Sequence, residues 1–165
     1  MEQLTEVLNP IHRKMEFSCG KDILDKYLHQ QANQDIKRKL TVCFVLTDSE
    51  IIKGYYTISN NSISQEIVPP KLRRKLPNSY TSIPVTLLGR LAIDKKFQRK
   101  GIGKILLIDA LKRCYIISKS IGSFAVIVDP LDNDAENYYE KFGFIKLPDS
   151  GKMFLSMITI KSLFK

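Results

Sequence analysis

Apolar residues recur along the chain with two different periods, and the places where the period changes divide it into elements. Leu4 to Leu8 alternate weakly and predict a first edge strand. Ile23, Leu24, Tyr27, Leu28 and Ala32 fall at helical spacing, which predicts an amphipathic helix near 21–38, with Ser18 or Asp22 as its cap. The β-branched run TVCFVLTD predicts a strand, followed by a polar turn at Asp48-Ser49-Glu50. IIKGYYTIS predicts a second strand, Asn60-Asn61 a turn, and Ile63 to Val68 a third short strand, together an antiparallel meander. Pro69-Pro70 can open a short helix through KLRRKL, stopped by Pro77. Pro84 to Asp94 reads as a long buried strand, Ile102 to Ser118 as a helix apolar over much of its surface, and SFAVIVD as another buried strand. A short helix is expected over Asp132 to Phe142, and MFLSMITI as a final strand. Strands that alternate with helices late in the chain imply an α/β fold with a mixed sheet and a parallel central pair. Without repeat, low-complexity tract or linker, residues 1–165 are read as one domain.

Composition narrows the class. The chain has 165 residues, 44% of them hydrophobic, and no run near the ~18 apolar residues that would span a bilayer. No apolar leader is read at the N-terminus, so a cytoplasmic protein is expected. Cys19, Cys43 and Cys114 are far apart and odd in number, with no CxxC pair and no Cys/His cluster. They read as idle thiols, with no disulfide frame and no metal. The net charge of +9 favours anionic ligands such as nucleotides, phosphates or nucleic acid. Lys71, Arg73, Arg74 and Lys75 form the densest basic patch. Lys37-Arg38-Lys39 is a second one, at a helix end where cations also suit the dipole.

The chemistry is carried by Gln98-Arg99-Lys100-Gly101-Ile102-Gly103, between a buried strand and a buried helix. Glycines at a helix N-terminus leave unpaired backbone N–H groups open, and the dipole behind them makes an anion site suited to a pyrophosphate. Lys96, Arg99, Lys100 and Lys104 add charge around it. The Walker A spacing is missing. The third glycine of a dinucleotide fingerprint is missing too, and three strands and a helix precede the loop, where a dinucleotide fold usually opens with it.

Gln98-x-x-Gly101-x-Gly103 resembles the acetyl-CoA signature of the GNAT superfamily of N-acetyltransferases, and Tyr139-Glu140-Lys141-Phe142-Gly143-Phe144 resembles that family's second block. The resemblance implies a GNAT fold with a splayed mixed sheet and acetyl-CoA as co-substrate. The pantetheine arm would pair with backbone groups of Leu91, Ala92 and Ile93. The pyrophosphate would rest on the amides of Arg99, Lys100, Gly101, Ile102, Gly103 and Lys104, with Gln98 beside it. Tyr139 would be the general acid that protonates the leaving thiolate; its alternative is simple packing. Many members have Asn seven residues before this tyrosine. Here Asp132 stands there with Asn133 next to it, so the contact to the arm comes from either or is absent. His12 and His29 lie far upstream, and no general base is visible. A lysine amine (pKa ~10.4) needs such a base more than an α-amine (pKa ~8) does.

The upstream segments FSCG, Leu24-x-x-Tyr27-Leu28, Gln31-Ala32-x-Gln34-Asp35, GYYTIS and LGRLA resemble the TacT-like GNAT toxins of type II toxin–antitoxin modules, over about Leu8 to Ile160. That resemblance implies acetylation of the α-amine on aminoacyl-tRNA and a ribbon-helix-helix antitoxin as partner; relatives of this type often pair as homodimers. The expected RNA contacts are Lys37, Arg38, Lys71, Arg73, Arg74 and Lys75. Arg90 is either a contact near the acceptor end or a strand residue paired with a carboxylate.

Overall fold

The computed structural model describes residues 3–165. Its seven strands are hydrogen-bonded in the order β1-β2-β3-β4-β5-β7-β6. They are β1 (Glu6–Val7), β2 (Val42–Asp48), β3 (Ile51–Ser64), β4 (Ser82–Ile93), β5 (Ala125–Val128), β6 (Ile145–Lys146) and β7 (Met153–Ser156). The helices are α1 (Asp22–Lys26), α2 (Ala32–Lys37), α3 (Pro70–Arg73), α4 (Ile102–Ser118), α5 (Asn133–Lys141) and α6 (Met157–Ser162). The expected mixed α/β sheet is present, with β4 and β5 as its parallel central pair. The chain divides into two compact units, one built from residues up to Ser59 with Leu88–Arg113, the other from Asn60–Leu87 with Cys114–Lys165.

In the first unit, Leu28, Ala32, Cys43, Val45, Tyr55 and Ala92 form the core with Phe17 and Tyr27. A fully buried Leu contributes about 2 kcal/mol of burial. The helix expected near 21–38 is interrupted. Tyr27–Gln31 is a π turn between α1 and α2, and it directs Tyr27 and Leu28 into the core. Neither Ser18 nor Asp22 caps α1. Its N-cap is Lys21, which makes no side-chain cap, and Asp22 is already helical. Ser18 Oγ and the Cys19 amide instead donate to the Asp25 carboxylate at 3.3 and 2.8 Å.

β3 and β4 lie close here because Gly54 lacks a side chain. A Cβ on it would meet Ala92 O at 2.9 Å and Ile93 Cδ1 at 2.8 Å. A buried network ties β1 to α4. Thr5 Oγ1 and Tyr56 Oη donate to Asp109 at 2.6 and 2.8 Å, and Arg113 Nε donates to Tyr56 Oη at 2.9 Å.

In the second unit, Ile63, Val68, Ile83, Val85, Ile127, Leu147 and Phe154 pack together. The turn expected at Asn60-Asn61 is absent: β3 runs unbroken to Ser64, and a 3-10 turn (Gln65–Ile67) replaces the third strand of the expected meander. The long β4 supplies a neighbour for the extra residues, and Gln65 N donates to Thr81 O at 2.9 Å. The final strand is also shorter than expected. It stops at Ser156, whose hydroxyl accepts from Thr159 N at 3.2 Å and so caps α6. Local capping outweighs the β-propensity of Ile158-Thr159-Ile160. β6, which the pattern did not suggest, pairs antiparallel with β7.

Candidate active site

The anion loop follows the end of β4. The parallel ladder to β5 consists of Thr86–Val126 and Leu87–Ile127, whereas β4 continues six residues further, through Leu91 and Ala92 to Ile93. Asp94 then ends the strand. It is buried, and its carboxylate accepts from Ser18 N at 3.1 Å and Lys96 N at 2.9 Å. Lys95 N returns a bond to Ser18 O at 2.9 Å. Gln98 Nε2 reaches Cys19 O and Ile93 O, both at 2.8 Å. The glutamine side chain of the signature therefore anchors the loop to β4 and to the Cys19 turn. Of the expected backbone set, the Ile93 carbonyl is already engaged by that amide.

Past Gln98 the backbone takes left-handed turns at Arg99 (φ 61°) and Gly101 (φ 78°). A Cβ on Gly101 would meet nothing within 4 Å, so glycine is needed there for its conformation rather than for space. Left-handed residues ahead of a helix turn successive main-chain N–H groups toward one point. Here they meet the open first turn of α4, 17 residues long, with its dipole behind them. Arg99, Lys100, Gly101 and Lys104 are exposed, and Ile102 and Gly103 half-buried. This donor set suits a diphosphate: amides for its oxygens, cations at the rim. The Phe97 ring lies 5.4 Å from Lys53 Nζ and 5.8 Å from Lys100 Nζ.

Tyr139 belongs to the second unit. It is buried on α5, and its ring makes edge contacts with Phe144 at 5.2 Å and Tyr138 at 5.7 Å. Burial is the main cause that pushes its proton affinity above the usual tyrosine range, and the neighbouring Tyr138 adds to it. The phenol therefore keeps its proton well into the alkaline range and has that proton to give. Tyr138 packs against Phe142 at 5.3 Å, and its hydroxyl is buried with no hydrogen-bond partner. Desolvation pushes that phenol up to about 12.

Asp132 caps α5, its carboxylate accepting from Ala135 N at 2.9 Å; Asn133 is exposed as the first helical residue. An aspartate here thus has a structural task that its alignment with the family's asparagine did not suggest.

The expected acceptor-side residues are spread over both units. Arg90 stacks its guanidinium over the Tyr27 ring, 3.4 Å from the centroid, while Tyr27 Oη donates to the buried Asp35 at 2.9 Å. The strand arginine thus has an aromatic partner, which holds it half-buried at the π turn. Lys37 and Arg38 are exposed where α2 ends. In the second unit Lys71, Arg74 and Lys75 are exposed on and after α3, and Arg73 donates to Glu66 O at 2.9 Å.

The two histidines differ in how their ring nitrogens are engaged. His12 is buried, with Nδ1 accepting from Asn9 N at 3.0 Å and Nε2 bound to Glu6 at 2.9 Å. His29 Nε2 donates to Phe17 O at 2.8 Å. The three cysteines are buried and unbridged, and burial raises Cys19 to about 11 and Cys43 to about 12. No three metal-ligating side chains gather among the described residues, and no helix among them is long and apolar enough to cross a membrane.

The acetyltransferase (GNAT) domain family matches residues 39–146, which covers the anion loop and Tyr139 together. The chain belongs to the GNAT acetyltransferase family. It is 36% identical to a tRNA-acetylating toxin of Mycobacterium tuberculosis (strain ATCC 25618 / H37Rv) over 128 residues, covering 78% of this chain and 75% of that protein. It is 31% identical over 173 aligned positions to a protein of Sinorhizobium fredii (strain NBRC 101917 / NGR234) named "Probable toxin TacT", covering 98% and 95% of the two. Among solved structures it resembles AtaT complexed with acetyl-methionyl-tRNAfMet, with a TM-score of 0.89 at 27% identity, covering 98% of each chain. The resemblance to TacT-like GNAT toxins read from the sequence agrees with these relatives.

Proposed function

We propose that this GNAT enzyme transfers the acetyl group of acetyl-CoA to the α-amine of an aminoacyl-tRNA, and so blocks translation as the toxin of a toxin–antitoxin pair. The observation that carries the reading is the pinned loop: left-handed turns at Arg99 and Gly101 aim main-chain amides ahead of α4. Those amides, with Lys100 and Lys104, hold the diphosphate, and the backbone of Leu91 and Ala92 pairs with the pantetheine arm. Asp132 and Asn133 are the remaining candidates for the arm.

Acetyl-CoA supplies the reactive thioester. The acceptor amine arrives neutral, since an α-amine is already partly deprotonated near neutral pH. Tyr139, held in its protonated form, gives its proton to the leaving sulfur.

The acceptor is assigned from three supports: the toxins to which the chain is related, the net charge of +9, and the exposed basic clusters. Lys37 and Arg38 in one unit, and Lys71, Arg73, Arg74 and Lys75 in the other, are read as contacts to the tRNA backbone. Arg90 is read as a contact near the acceptor end. We further read residues 1–165 as one catalytic domain, cytoplasmic and homodimeric, neutralised by a ribbon-helix-helix antitoxin.

The test is mass spectrometry of total charged tRNA after incubation with the protein and acetyl-CoA, with free amino acids and proteins offered in parallel. Acetylated aminoacyl-tRNA is the expected product. Acetylation confined to proteins or to free amino acids would overturn the acceptor assignment.

A further inference from the structure

Among the described residues Tyr80 is the one exposed tyrosine, with 56% of its surface open to solvent. The loop that carries it is nonetheless fixed. Gln65 Nε2 donates to Pro77 O at 3.0 Å and to Tyr80 O at 2.7 Å, Gln65 N donates to Thr81 O at 2.9 Å, and Tyr80 N returns to Pro77 O at 3.2 Å. The next residue, Glu66, accepts through its carbonyl from Arg73 Nη1 at 2.9 Å. The 3-10 turn Gln65–Ile67 therefore holds the Tyr80 loop and the basic segment after Pro70 together. That segment is oriented as well. Leu72 and Leu76 pack against the core of the second unit, which leaves Lys71, Arg74 and Lys75 in solvent. A single exposed aromatic needs no explanation. A ring on a pinned backbone, tied to the same turn as four cations, is a different object: its loop is ordered before any partner arrives.

We propose that Tyr80 is a stacking platform for an unpaired base at the single-stranded 3′ end of the tRNA, with Lys71, Arg73, Arg74 and Lys75 holding the phosphates around it. The inference rests on the reading of charged tRNA as the acceptor. Phosphate contacts position a nucleic acid; contacts to bases tell one part of it from another. Most bases of a tRNA are already paired and stacked. Those of the 3′ end that carries the amino acid are unpaired, and such bases are free to lie on an aromatic ring. Cations for the backbone and an aromatic face for a base are the pair of devices that binds single strands whatever their sequence. An acidic peptide would be drawn to the same cations, but its carboxylates offer no π face to the ring, so the tyrosine favours RNA. The basic segment thereby gains a direction: it addresses the open end of the acceptor, not the paired stem.

Tyr80→Ala in the full chain should raise the KM for charged tRNA by about 5- to 10²-fold, the usual loss of one stacked base, and leave kcat, acetyl-CoA affinity and melting temperature as in the parent. The ring carries no charge, so the salt dependence of KM should keep the parent's slope, whereas a lost phosphate contact would flatten it. Tyr80→Phe retains the aromatic face and should retain the parent's KM. Tyr80→Trp gives a chain without tryptophan its single one. The fluorescence of that tryptophan should be quenched by uncharged tRNA and by a single-stranded oligoribonucleotide ending in CCA, and far less by a blunt RNA duplex. A parental KM in Tyr80→Ala overturns the proposal. An equal loss in Tyr80→Phe overturns it too, by making the hydroxyl the contact, and so does a flattened salt slope. Quenching by polyglutamate and not by the oligoribonucleotide would assign the face to an acidic protein and end the RNA reading. A parent chain that acetylates no charged tRNA sinks the acceptor assignment instead, and the quenching then decides for or against the ring by itself.

Discussion

The anion loop and the tyrosine pair treat their polar groups in opposite ways. Around Asp94 and Gln98 the named polar side chains are committed: the carboxylate takes two backbone amides, and the Gln98 amide bridges two carbonyls. On α5, Tyr138 keeps a buried hydroxyl with no partner, and Tyr139 is held by ring contacts. The loop uses side chains to fix its backbone. The helix uses ring packing to fix its side chains. The contrast predicts different failures: damage to the loop should weaken binding and stability, while damage to the helix should lower turnover in a protein that still folds and binds.

The sharpest test of that contrast is Tyr139→Phe. It should lower kcat by about 10²- to 10⁴-fold, the range for loss of a general acid, and leave acetyl-CoA affinity intact by calorimetry. Near-normal kcat would remove Tyr139 from the mechanism. Reversing the charges of Lys71, Arg73, Arg74 and Lys75 should come next, raising the KM for charged tRNA by about 10- to 10²-fold and flattening its dependence on salt. An unchanged KM and salt slope would make that patch a solvated face. Asp94→Ala removes a buried carboxylate that accepts from two backbone amides and should cost about 2–3 kcal/mol, read as a melting temperature lower by roughly 5–10 °C, together with weaker acetyl-CoA binding. Gly101→Ala meets no atom and strains only the backbone, by about 1–2 kcal/mol. It should weaken acetyl-CoA about 5- to 10-fold with kcat retained.

The smallest expected effect is a flat pH profile. Under the proposed mechanism Tyr139 acts as an acid below its pKa and loses activity above it. Since burial raises that pKa, the alkaline fall of kcat should lie above the ordinary tyrosine value of ~10. A fall attributable to Tyr139 below that value would contradict its buried, proton-holding state.

Much of this arrangement was legible in the sequence where a local pattern had one physical solution. The α4 bounds, Ile102 and Ser118, follow from glycine punctuation and an apolar helical period. What stayed hidden depended on distant partners. Asn60-Asn61 has turn chemistry, yet it continues β3 because β4 runs alongside. The π turn at Tyr27–Gln31 has no signature of its own and shows only once Tyr27 meets Arg90 and Asp35. Asp94 read as the end of a strand; its task appears when Ser18, 76 residues earlier, comes to it. An aspartate directly before the lysine that opens a short helical turn, Lys95–Phe97, is a weak signal of the kind shared by many surface turns. Asp132 stands where many family members carry asparagine, and that correspondence says nothing of its N-cap on α5.

The burial of Cys19, Cys43 and Cys114 carries a practical consequence. Thiolate-directed reagents should pass over all three at neutral pH, because two of the thiols hold their protons far above it and burial shields the set. One cysteine introduced on an exposed face becomes the sole reactive handle for a fluorophore or spin label, with the native sulfur left as it is.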